Sequence, residues 1–282
     1  MTAIAPELDP TEAVAVARSS GWPACGPWTQ FKVLTARSMR DYLSDRRLLA
    51  LQMLQSLLLL LMFSQVLGNV ANPDHFPSGV SYIDYLMPAI LVTTGIGSAT
   101  GSGSQLIRDM ENGMLTRFRT LPIDMHWILF ARAATDLLRL MLQMVVTLVC
   151  AAACLGFRPH GGPVGVAAAM LLAILVIWSL TWIFMALAAW LRSARIMQSI
   201  SAVGLLPLMI ASSAYIPLDS MPTWLHAAAV VNPLTYAVDA SRALALGTPA
   251  LAGVLASVLT SGLVAAIAMF AAVRGFRRPS VQ

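Results

Sequence analysis

Lysine is almost missing from this sequence: Lys32 is the only one among 18 basic residues. A nucleotide-binding P-loop closes its glycine run with a lysine that reaches the phosphates. Lys32 stands instead between Phe31 and Val33, so the chain carries no such loop. Charge of either sign is scarce as well, at 11% of 282 residues, against about 25% in soluble domains. Cysteine is limited to Cys25, Cys150 and Cys154, which give neither a disulfide framework nor a zinc spacing. His75, His126, His160 and His226 share no ligand spacing, and neither H-E-x-x-H nor G-x-S-x-G occurs. Gly95-Ile96-Gly97 begins like a dinucleotide fingerprint but lies inside an apolar run rather than after a strand. A membrane-embedded enzyme, such as a lipid transferase, would need clustered acids, histidines or a metal site, and the pattern offers none.

What the chain has in excess is apolar length. Hydrophobic residues make up 58% of it, and its mean hydropathy is +0.74. A soluble fold would have to bury nearly all of that surface; a bilayer removes the problem. A spanning helix needs ~20 apolar residues, and six stretches qualify: Leu48 to Val70, Ile83 to Ile107, Trp127 to Leu155, Val164 to Leu191, Ile196 to Tyr215 and Leu251 to Val273. A seventh candidate, Ser220 to Val238, is cut by Asn232-Pro233 and has Pro222 near its start. Proline removes a backbone donor that hydrocarbon cannot replace, so two short helices dipping into the outer leaflet fit better than a span.

The basic residues decide between six spans and seven. Six spans gather Arg18, Lys32, Arg37, Arg40, Arg46 and Arg47 with Arg108, Arg117, Arg119 and Arg132 on one side. Arg192, Arg195, Arg274, Arg277 and Arg278 join them there. Only Arg158 and Arg242 fall on the other side, with Arg139 inside a helix. Cytoplasmic loops carry the excess of arginine and lysine, so both termini are expected in the cytoplasm. Scattered between apolar segments, these arginines make no nucleic-acid patch. The expected fold is all-α: a flexible tail over 1–27, an amphipathic interfacial helix over 28–47, a six-helix membrane domain over 48–273 and a short tail over 274–282. Trp28, Phe31, Leu34 or Thr35, and Tyr42 recur at helical spacing among Lys32, Arg37, Arg40 and Arg47, which suits a helix lying on the membrane surface. A plain cytoplasmic linker is the alternative.

Two patterns inside the spans stand out. Gly95, Ala99 and Gly103 are four apart, and so are Gly97 and Gly101. Small residues at that spacing let helix backbones approach closely. They are expected to pack the bundle; lining a substrate path or a partner seam is the sharper alternative. Arg132, Asp136, Arg139 and Gln143 share one face of the third span. A carboxylate between two arginines can pair either way, making a clamp at the inner mouth more natural than a proton relay.

The segment Arg108-Asp109-Met110-Glu111-Asn112-Gly113-Met114-Leu115-Thr116-Arg117-Phe118-Arg119-Thr120-Leu121-Pro122 resembles the cytoplasmic loop after the second span of ABC-2 type permeases. The stretch with Pro217, then Met221-Pro222-Thr223-Trp224-Leu225, Asn232-Pro233-Leu234-Thr235-Tyr236 and Asp239-Ala240-Ser241-Arg242 resembles the extracellular re-entrant segment of the same family, over about 216–247. The likeness is nearest to its daunorubicin-resistance-type drug and lipid exporters. The resemblance implies a permease paired with a second copy or paralogue and resting on a pair of ATP-binding subunits that hold ATP and Mg, with no cofactor on this chain. It implies a coupling helix over about 109–121, in which Asp109, Glu111, Gly113, Met114, Leu115, Arg117 and Phe118 meet the ATPase. Glu111 near the helix start suits the dipole, and Met114, Leu115 and Phe118 offer an apolar face. Met114 stands where the family often has threonine. The expected cargo is amphipathic or hydrophobic: a drug, a glycolipid or a polyketide lipid, exported through a bacterial plasma membrane. A polysaccharide or teichoic-acid exporter is the alternative, and would be expected to show more aromatic rings along its channel.

Overall fold

The computed structural model describes residues 27–44, 46–68, 82–112, 125–158, 160–205, 209, 212–214, 221–231, 233–249 and 251–276. The described part is helical, without strands: α1 (Pro27–Ser44), α2 (Arg46–Gly68), α3 (Tyr82–Glu111), α4 (Met125–Cys154), α5 (Gly162–Leu191), α6 (Ala194–Ile200), α7 (Thr223–Val231), α8 (Pro233–Leu246) and α9 (Leu251–Phe276). Three of these are long and apolar enough to cross a membrane: α4 from Trp127 onward, α5 and α9. At the fifth expected span, α6 passes directly into a π-helical turn, Ser201–Leu205. The Ser220–Val238 stretch holds two short helices, α7 and α8, divided at Pro233 as proline chemistry requires.

Helix α5 is the centre. Its most apolar stretch is 61% buried, against 22% in α4 and α9, and it packs against α9, α3 and α8. Helix α9 shows why. Its inward face carries Ser257, Ser261, Ala265, Ala268, Ala272 and Gly275, all buried, while Leu255, Leu259, Leu263, Ile267 and Phe270 point outward and exposed. Small residues face the neighbour and large apolar ones face away, the reverse of a soluble helix. In lipid this order is favourable, because close backbone packing holds helices together where apolar burial gains nothing. At the α9 end, Trp190 Nε1 donates to the Ala271 carbonyl at 3.0 Å. Arg192 caps α5 in the left-handed conformation at φ 48°, and its guanidinium reaches the Gly275 carbonyl at 3.4 Å.

The start of α5 closes against the end of α8 by backbone contact. Gly161 N–H donates to the Ala245 carbonyl at 2.9 Å, and a Cβ on Gly165 would stand 2.4 Å from the Leu244 oxygen. Helix α1 lies against α4. Its aromatic side leads inward: Trp28 stacks on Phe31, Phe31 meets Trp127 edge-on at 6.3 Å, and Trp127 meets Phe130, which meets Trp182 of α5.

The close approach at Gly165 generates a test. Gly165→Ala is expected to destabilise the chain by about 1–3 kcal/mol, the usual cost of overpacking, and to lower its thermal midpoint in detergent. Gly253→Ala, where an added Cβ meets nothing within 4 Å, is expected to leave the midpoint unchanged.

Candidate functional site

The polar residues of α3 and α4 form one antiparallel ladder. On α3, Ser98, Ser102, Gln105 and Asp109 are spaced four, three and four apart; on α4, Gln143, Arg139, Asp136 and Arg132 repeat that spacing in reverse. Because a helix returns to the same face every three or four residues, the two rows meet along their length. Ser98 Oγ donates to Gln143 Oε1 at 3.1 Å. Gln105 Oε1 accepts from Arg139 at 3.3 Å and from Arg132 at 2.8 Å. At the end of the ladder Arg132 forms an ion pair with Asp109, and midway Arg139 lies 3.5 Å from Asp136. The expected three-residue clamp on α4 is therefore part of a two-helix network. Arg132 closes on Asp109 of the neighbouring helix, leaving Arg139 as the ion-pair partner of Asp136. In the sequence Ser98 and Ser102 read only as small residues between the glycines, and the spacing of Ser98, Ser102, Gln105 and Asp109 is the signal that pairs them with α4. The apolar span was ended at Ile107 and Asp109 was assigned to the following loop, whereas α3 runs on to Glu111.

The small residues of α3 divide into two sets. Gly95 and Gly103 pack on α5: an added Cβ would stand 2.0 Å from Ile177 at the first and 2.8 Å from the Phe184 carbonyl at the second. Ala99, between them, is fully buried. Gly97 and Gly101 are exposed, and a Cβ at either would meet nothing within 4 Å. They face a cavity of about 400 Å³ that the ladder borders, between α2, α3 and α4.

At the other end of α3, Arg242 of α8 is buried in a second polar knot. It pairs with Asp239 at 2.8 Å, as the three-residue spacing allows. Its Nε donates to the Tyr85 carbonyl at 3.1 Å, its Nη2 donates to the Ser213 carbonyl at 2.8 Å, and its guanidinium lies 3.6 Å from the centre of the Tyr85 ring. Ser213 in turn donates to Asp239 at 2.7 Å. One guanidinium thus fastens α8, the start of α3 and the 212–214 turn. Nearby, buried Asp84 accepts the Arg158 backbone N–H at 2.9 Å. Trp224 and Tyr236 are exposed; Pro222 precedes α7 and Pro233 begins α8. Pro217, Asn232, Gly113, Met114, Leu115, Arg117 and Phe118 lie outside the described residues. Of the expected coupling segment the structure places Asp109, half-buried in its ion pair, and Glu111, exposed at the helix end. Among the described residues, no group of three or more histidine, cysteine or acidic side chains is arranged to hold a metal ion.

The Arg132–Asp109 pair is open to a double-mutant cycle. Arg132→Gln and Asp109→Asn are each expected to lower the thermal midpoint. The double variant is expected to lose less than the sum, by about 0.5–3 kcal/mol of coupling, read from unfolding curves of the four proteins in the same detergent.

Comparison with known proteins places the chain among transport permeases by sequence. Over 216 residues the chain is 33% identical to the daunorubicin resistance ABC transporter permease protein DrrB1 of Streptomyces coeruleorubidus, covering 76% of this chain and 75% of that one. It is 26% identical over 250 residues to a probable doxorubicin resistance ABC transporter permease protein, DrrC, of Mycobacterium tuberculosis, covering 88% and 86%. A putative transport permease, ycf38, of the alga Porphyra purpurea is 32% identical over 189 residues, and that match spans 67% of this chain and 64% of the relative. Residues 29–246 match the ABC-2 type transporter family, and the chain belongs to it.

Proposed function

We propose that this chain is the membrane permease of an ATP-driven exporter and moves an amphipathic molecule from the cytoplasm or inner leaflet outward. The observation that carries the reading is the family match over residues 29–246 together with relatives named as drug-resistance ABC transporter permeases. The sequence supports a separate motor: it has no P-loop lysine, so ATP and Mg²⁺ belong to a partner ATPase. In this reading six helices span a bacterial plasma membrane with both termini cytoplasmic, α7 and α8 re-enter from outside, and a second permease chain completes the pathway. The chain divides as a tail to residue 27, an interfacial helix to 47, the membrane domain to 273 and a C-terminal tail.

The coupling segment, about 109–121, docks on the ATPase. Its first residue, Asp109, is the one bound to Arg132. A displacement of the docked segment is therefore carried to α4 through an ion pair that is half-buried, where water screens it little. The Arg132, Asp136, Arg139 and Gln143 row then transmits motion between α3 and α4 rather than relaying protons. Glu111, exposed beyond the ion pair, is free to meet the partner.

Co-expression with candidate ATP-binding subunits tests the reading. A stable complex is expected, with ATPase activity stimulated by the permease. Glu111→Ala and Leu115→Ala are each expected to weaken assembly about tenfold, a change of roughly 1.4 kcal/mol. Failure of every ATPase to co-purify with the unaltered chain would refute the exporter assignment.

A further inference from the structure

We infer that the cavity between α2, α3 and α4 binds the neutral, hydroxyl-bearing head group of an amphipathic ligand, with Asp136 as the acceptor that selects it. The inference rests on the exporter reading and adds a substrate class to it. The cavity, about 400 Å³, falls within the ~300–1,000 Å³ of small-molecule sites. Polar groups line it that the protein leaves unsatisfied. Asp136 is buried, 9% exposed, and its Oδ2 has no hydrogen-bond partner. Thr94 Oγ1 is buried without a partner as well. Gln105 Oε1 accepts from both Arg132 and Arg139, so Gln105 offers the cavity its amide NH₂, while Gln143, whose oxygen accepts from Ser98, offers its NH₂ and one remaining lone pair. The described walls thus present a carboxylate oxygen beside the Arg139 guanidinium, several hydroxyls, and the amides of Gln55, Gln105 and Gln143. A hydroxyl group both donates and accepts, and satisfies that set without a change in charge.

Charge balance decides against a cationic ligand. Asp136 is matched by Arg139, and Arg132 by Asp109, so the bordering network is already neutral. An ammonium entering it would be an uncompensated ion away from water, which costs several kcal/mol even after relaxation. An anion would face the Asp136 carboxylate beside Arg139 and would leave the same network with one charge uncompensated. Among the described residues the wall holds no aromatic ring, and such rings are the faces that cage a quaternary ammonium. Gly97 and Gly101 keep the floor open, since side chains there would project into the space the ligand needs. Leu59 and Met209 add apolar contact beside the polar wall, as an amphipathic ligand requires.

The test uses the full chain in lipid nanodiscs with three probes of equal tail: n-hexyl glucoside, hexyltrimethylammonium and hexyl sulfate, followed by saturation-transfer NMR with empty nanodiscs as reference. The glucoside is expected to bind through its sugar protons, at least tenfold more tightly than either charged probe. Asp136→Asn is expected to weaken it about tenfold, within the range for a hydrogen bond to a charged group. Gly101→Leu projects into the cavity from a position where an added Cβ meets nothing within 4 Å, so it is expected to abolish binding while keeping the wild-type thermal midpoint. Tighter binding of the ammonium probe, or glucoside binding untouched by Gly101→Leu, would overturn the inference. Binding is measured without an ATPase. A chain that captures no motor yet binds the glucoside therefore loses the exporter reading alone, and one that couples to ATPase but ignores the glucoside loses only this inference.

Discussion

In hydrocarbon a buried polar group finds a partner within the protein or carries an unpaid desolvation cost, and apolar burial no longer separates inside from outside. The whole arrangement follows from that constraint. Large apolar side chains face outward on α9 because lipid receives them as readily as a core does, and small residues face inward because only close approach holds helices together. Buried hydroxyls on α4 and α5 bond to their own helix backbone, while the larger polar side chains gather where another element answers them. The ladder between α3 and α4 and the Arg242 knot at the opposite end of α3 are those places. Between them, α3 meets α5 through Gly95, Ala99 and Gly103.

This division explains how one helix serves two purposes. The face of α3 that carries Gly95 and Gly103 is fixed to α5 by contacts too tight for a single methyl group. The face that carries Gly97 and Gly101 is open and borders the polar cavity. Residues two apart on a helix point about 200° apart, so packing and access are separated by geometry without competing for the same surface. The ladder lies between the two faces and ends beside the segment through which a motor would act.

Much of this was legible in the sequence. Apolar length located α2, α3, α4, α5 and α9 to within a few residues, and Asn232-Pro233 marked the break between α7 and α8. The α4 row was readable from its four-three-four spacing. Its partner row on α3 was equally readable and was missed, because hydropathy ended the helix at Ile107 while the hydrogen-bonded helix continues four residues into charged sequence. Hydropathy measures where lipid would stop, not where a helix does. The division of the glycines had no local signal, since all five small residues have suitable spacing and only α5 decides which are covered. Tyr85 and Ser213 lie 157 and 29 residues from Arg242; no periodicity reports contacts of that range. Nothing in the composition of 201–205 announced a π turn.

The Arg242 knot has a mechanical consequence. Its guanidinium grips α8, the 212–214 turn and the start of α3 at once, through one ion pair and two backbone carbonyls. Three attachments to a rigid planar group leave no pair of these elements free to slide while the third stays still. The far end of the bundle therefore behaves as a keystone, moving as one block or not at all.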